Sequence, residues 1–345
     1  MHASEIGINL KATVKEAKEL LAHYQKELDS DPEDFALKLR FNSFRRHVQD
    51  LENQLAAHET FERGWDFLNE QNLEKAKREF RQAINLMPSY LGFLNNQLTN
   101  NVSKNNLELI ISFMKFLLEI DPNYEVVREN LIAAYIKCAI KKAKAGNLPY
   151  AINLLLIAST FVNSKETAKT VSWNLATAYT EAGKKSTETG NLEEASIHML
   201  TALFYVRNET TIYNTKLALE KLSLSYLEKR EFHKAIETFE HIEMIFGLES
   251  GLWNDFAIAL ACVGQTAQGI AILENLLQDN SSLSKDIVNC AKDNLATMRQ
   301  HHKASLESGL RLSLKSSSKL GEADLLMPIL SYSPGNSLEF LSAVA

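Results

Sequence analysis

Apolar residues at the start of the chain recur at alternating intervals of four and three: Leu10, Val14, Ala17, Leu21, Tyr24 and Leu28, then Leu37, Phe41, Phe44, Val48, Leu51 and Leu55. A 3.5-residue repeat draws one stripe along a helix and is the seam of a coiled coil. Between the two stripes stand Asp29, Ser30, Asp31, Pro32, Glu33 and Asp34, residues that stop one helix and start the next. So short a connection makes the two helices antiparallel neighbours. The pattern predicts a coiled-coil helical hairpin over residues 1–58. Its second helix carries the basic cluster Lys38, Arg40, Arg45, Arg46 and His47, which is either a solvated face or an anion-binding patch.

From residue 59 the pattern changes to spaced small and large residues. Gly64 and Ala76 are small where two helices would cross closely, Phe67 and Phe80 are large where neighbouring helices leave a hole, and Pro88 closes the second helix. The next closing proline, Pro122, follows 34 residues later, with Ile110, Met114 and Leu117 in the slots of Ala76, Phe80 and Ala83. Asn130, Leu131, Ala134 and Tyr135 match Asn174, Leu175, Ala178 and Tyr179 at a spacing of 44, as Gly146 and Ala151 match Gly190 and Ala195. A fifth copy holds Leu222, Tyr226, Ala235, Phe239 and Ile242; a sixth holds Trp253, Phe256, Ala257, Leu260, Gly264, Gly269 and Leu273.

These copies resemble tetratricopeptide repeats (TPR), whose pattern is W-x2-L-G-x2-Y, A-x3-F and a closing proline at a period of 34. The first copy departs from it at Thr60 and Arg63, and the second has lost its small residues. The resemblance implies an all-α, TPR-type α-solenoid of about six helical hairpins over residues 59–283, because no single repeat buries its own apolar face. A capping helix is expected over 284–308, and a mostly irregular tail over 309–345 whose apolar end docks back on the array or stays apart. In the third and fourth copies seven residues are inserted between Tyr135 and Gly146, and likewise between Tyr179 and Gly190. The first helix of each should therefore overhang its partner, the overhangs carrying Lys141, Lys142, Lys144, Lys184 and Lys185.

Composition narrows the reading. In 345 residues there are 13 Gly and 6 Pro, too few for the turns of an all-β fold, and the net charge of −6 lacks the positive face that nucleic acid needs. Cys138, Cys262 and Cys290 stand too far apart for a zinc site or a redox pair and read as thiols of a reducing compartment. No apolar run reaches 18 residues, so no membrane partner and a cytoplasmic location are expected. Gly183, Lys184, Lys185 and Ser186 lack the first glycine and the strand of a phosphate-binding loop, and His301 and His302 point about 100° apart on a helix. The chain is therefore expected to be no enzyme and to hold no cofactor or metal.

What remains is a surface. The resemblance implies that first helices line a concave face with position 6 turned inward: Asn96, Asn130 and Asn174, then Lys221 and Asp255, with Asn254 one position off. A carboxamide both donates and accepts, so such a ladder can pair with a peptide backbone whatever its side chains. Trp173 would add an apolar anchor. The expected function is a non-enzymatic scaffold that binds an extended peptide or partner protein through Asn96, Asn130, Asn174, Trp173, Lys221 and Asn254. The alternative is an oligomerisation module, a homodimer through residues 10–55.

Overall fold

The computed structural model describes residues 3–101, 106–278 and 283–305. Among them fourteen α-helices form and no strand, most of them packing on the next along the chain, so the fold is all-α and of the TPR-type solenoid class. The tail over 309–345 and the last residues of the expected capping helix lie outside the described residues. The chain divides into two compact units, the first ending at Cys138 and the second beginning at Ala139.

In the first unit α1 (Ala3–Ser30) and α2 (Phe35–Asn69) form the antiparallel hairpin. Val14, Ala17, Val48 and Leu51 are buried along its seam, Tyr24 stands edge-on to Phe44 at 5.6 Å, and Lys11–Glu59 (3.0 Å) and Lys18–Glu52 (2.6 Å) fix the register. Asp34 caps α2 by accepting the Leu37 amide hydrogen. The 58/59 division expected from sequence falls inside α2, which continues unbroken and packs its last third on α3 (Leu73–Leu86). There Phe61 meets Phe80 at 5.2 Å, Tyr90 at 4.9 Å and Phe93 at 5.3 Å, and Phe80 meets Phe113 at 5.8 Å. Gly64 permits this: a Cβ on it would stand 2.6 Å from the Phe80 ring. Then come α4 (Tyr90–Asn101), α5 (Leu107–Ile120) and the start of α6 (Glu125–Lys144).

The second unit holds the end of α6, then α7 (Leu148–Ser159), α8 (Lys165–Glu188), α9 (Leu192–Tyr205), α10 (Glu209–Glu228), α11 (Phe232–Phe246), α12 (Ser250–Cys262), α13 (Thr266–Gln278) and α14 (Lys285–Ser305). Asn147 and Asn191 cap α7 and α9, as Asn72 and Asn106 cap α3 and α5, each accepting the amide hydrogen three residues on. Gly146 (φ 81°) and Gly190 (φ 78°) turn the chain into the second helix; Gln71 (φ 61°) and Arg230 (φ 59°) do so without the freedom of glycine. Their strain is local to these turns.

The long first helices are as expected, and the place of their extra length is not. α8 has 24 residues against 14 in α9, yet Gly183 lies against Met199 and Tyr179 stacks on Tyr205 at the end of α9. The extra length is thus at the start of α8, ahead of Trp173, which still packs with Tyr205 and Val206. Lys184 lies beside α9 and pairs with Glu181 at 2.7 Å, and Lys142 sits over the Tyr150 ring of α7 at 5.4 Å. A turn this tight holds the end of the first helix against its partner, so added residues can only extend the other end.

Candidate functional site

Two layers compose the second unit. α10 touches α8 on one side and α12 on the other, and α12 touches α14, so these first helices lie in one layer; α9, α11 and α13 interleave as the other. In the first unit α4 reaches both neighbours of its layer: the Tyr90 hydroxyl lies 3.3 Å from His58 Nδ1 on α2, and Asn130 Nδ2 on α6 donates to Asn95 Oδ1 at 3.1 Å.

The six residues expected to grip a peptide divide by accessibility. Asn96 is exposed, and Trp173 and Lys221 are partly exposed. Asn130 and Asn174 are buried, and Asn254 has no exposed surface. Their carboxamides are engaged inside the fold. Asn130 bonds Asn95, which in turn donates to Asn96 at 3.4 Å; Asn174 Nδ2 donates to the Thr170 carbonyl at 2.8 Å; Asn254 donates to Asp255 at 3.1 Å and accepts from Asn294 at 2.9 Å. Asn96 and Asn130 belong to the first unit; Trp173, Asn174, Lys221 and Asn254 belong to the second.

The structure shows an asparagine pattern that the sequence reading missed. Asn130, Asn174 and Asn214 each stand 21 residues before the buried alanine of their second helix (Ala151, Ala195 and Ala235), and all three are buried. That constant interval would have found Asn214 in place of Lys221. Asn95 and Asn294 complete a set in which first helices α4, α6, α8, α10, α12 and α14 each carry a buried asparagine, and two of the helix-to-helix junctions are closed by carboxamide pairs.

Around Trp173 lies an aromatic group. It packs with Tyr179, Tyr205 and Val206 over Ala176 and Ala202, and Phe204, 83% exposed, stands edge-on to Tyr205 at 5.4 Å. Burial, then the neighbouring Tyr205, raises the Tyr179 pKa. Across the layer Tyr213 on α10 is 40% exposed. At the turn end of the unit Tyr226 donates to Glu193 at 2.6 Å beneath Lys234, which lies 5.1 Å over its ring. Burial first, and the Glu193 carboxylate second, push the Tyr226 phenol up to about 12; that hydroxyl, with Lys234, holds Glu193 below the usual carboxylate range. This cluster ties α9, α10 and α11 together. Among the described residues no group of His, Cys, Asp and Glu is arranged to hold a metal ion, no helix is long and apolar enough to cross a membrane, and the three cysteines are free thiols.

No family model matches the chain, and no curated protein does. Among solved structures the chain is similar to the crystal structure of the P58(IPK) TPR domain, at 13% identity over 88% of this chain and 98% of that one, with a TM-score of 0.29. It is similar also to the TPR2AB-domain:pHSP90 complex of yeast Sti1 (16% identity, 72% and 98%, TM-score 0.24) and to the APC/C hetero-tetramer Cut9-Hcn1 (14%, 85% and 54%, 0.25).

Proposed function

We propose that the chain is a non-enzymatic, cytoplasmic scaffold that binds a partner protein or an extended peptide on the first-helix layer of its second unit. One observation carries the reading: α8, α10, α12 and α14 lie directly side by side, and Trp173, Tyr213 and Lys221 reach solvent on that layer. Partly exposed aromatic side chains on a rigid support are the usual anchors of protein interfaces, because they cover large apolar area at little entropic cost. Trp173 supplies the apolar anchor and Lys221 a charged contact. Asn174 serves by holding the start of α8, its carboxamide already bonded to Thr170.

Affinity capture from native lysate with the wild-type chain, Trp173→Ala and Lys221→Ala tests the proposal. Proteins retained by the wild type should be lost or reduced with Trp173→Ala at unchanged helicity; an identical captured set from all three chains would refute the assignment.

A second reading, self-association through the N-terminal hairpin, is favoured by a separate observation. The seam residues Val14, Ala17, Val48 and Leu51 are satisfied within the hairpin, while Phe35 and Leu39 at its tip remain 75% and 61% exposed. Large apolar residues grouped on a surface mark a contact site.

A further inference from the structure

We infer that the hairpin tip is a self-complementary contact, in which α2 of one copy lies antiparallel to α2 of a second copy across a twofold axis near Leu37. The inference rests on the self-association reading and names its surface, its register and its charges.

Three observations place it. Phe35 and Leu39, one helical turn apart, share the face of α2 opposite the seam residues Leu37, Phe41, Phe44 and Val48. The charges on either side of this pair have opposite sign. Before it come Asp29, Asp31, Glu33 and Asp34; after it come Lys38, Arg40, Arg45 and Arg46, with no acidic residue until Asp50. Among the described residues no opposite charge lies within ion-pair distance of Asp31, Glu33, Arg40, Arg45 or Arg46. These five charges are exposed and free to meet a partner from outside the hairpin.

A twofold contact places a patch against its own copy, so a surface that joins acid, apolar and base in that order complements itself. With the axis at residue 37, each position meets the one equally far on the other side. Phe35 of each copy then covers Leu39 of the other. Arg45 and Arg46 lie about 12 Å from the axis at the helical rise of about 1.5 Å per residue. That carries them to the level of Asp29 of the second copy, beside the turn that holds Asp31 and Glu33. Both apolar residues leave water and both charge blocks find partners, while the seam stays intact.

The test is sedimentation velocity on the full chain over a concentration series, at low and high salt, with circular dichroism to confirm folding. The wild type should show a monomer–dimer equilibrium that weakens with salt. Phe35→Ser with Leu39→Ser should weaken it at least tenfold; both residues are exposed, so folding is not at stake. Two charge-reversed chains decide the geometry: Asp31→Lys with Glu33→Lys, and Arg45→Glu with Arg46→Glu. Each alone should dimerise far more weakly, because the reversed residues then meet charges of their own sign in both contacts. Mixed together they should form a heterodimer, because both contacts regain opposite charges. A wild type that stays monomeric throughout overturns the self-association reading and the inference together. A dimer that persists in both reversed chains keeps self-association and overturns the tip contact. Binding of the tip to anionic lipid vesicles, with no dimer, overturns it in favour of a membrane surface.

Discussion

Gly269→Ala and Gly183→Ala make the same chemical change in helices of the same unit, and the structure gives them different outcomes. In a helix interior alanine is favoured over glycine by about 1 kcal/mol, so each variant starts with that gain. A Cβ at position 269 would lie 2.8 Å from the Ala257 carbonyl oxygen and 3.3 Å from Met298 Sδ. The first obstacle is backbone, which moves only with the whole of α12. Overpacking of this kind costs roughly 1–3 kcal/mol, leaving a net loss of up to about 2 kcal/mol. At position 183 the nearest atom, also at 2.8 Å, is the terminal methyl of Met199, which swings away by rotation about a side-chain bond. The helix gain then offsets the repacking, and the variant should fall within about 0.5 kcal/mol of the wild type. Urea unfolding followed by circular dichroism reads both, with the slope checked for constancy so that midpoints compare stability alone. Gly269→Ala as stable as Gly183→Ala, or more so, would refute the close crossing of α12 and α13.

Asn95→Ala leaves the Asn130 carboxamide buried beside a missing acceptor and should cost about 1–3 kcal/mol; the Asn95/Asn130 double-mutant cycle should return a coupling that two independent sites would not. Arg230→Gly relieves a left-handed backbone and should stabilise by about 0.5–1 kcal/mol in the same urea assay, whereas any loss would mean that the arginine side chain matters more than its backbone. The Tyr226 phenol ionises near 12 in the fold and near 10 when unfolded, so the folded state keeps its proton longer and its contribution is lost as pH rises from 10 to 12. Absorbance titration should show a late-ionising tyrosine that Tyr226→Phe removes; a late step that persists in that variant would show that Tyr226 is not the group held up.

Much of this architecture could be read from residue spacing, because spacing reports packing directly. The heptads of α1 and α2 are the buried seam, and Gly64 against Phe80 is the close crossing its position in the repeat implied. The continuity of α2 was hidden for a physical reason. From Leu37 to Arg63 there is no glycine or proline to stop a helix, so the change from coiled-coil seam to repeat packing occurs along one helix with no mark in the backbone. The extra turns of α6 and α8 were countable, but which end they extend depends on the tight turns at Gly146 and Gly190 holding the other end fixed. Burial of the asparagines could not be seen at all: a carboxamide that grips a ligand and one that joins two helices have the same composition and spacing.

A helix of 35 residues is a rod about 52 Å long, and α2 spends one stretch of it in the hairpin and the rest in the first repeat. No hinge separates the two. Severing the chain at residue 58 would open that rod in mid-turn, strip four amide groups of their partners and put Phe61 at a raw edge. The hairpin is therefore a lever fused to the array, and whatever grasps its tip also takes hold of the first repeat.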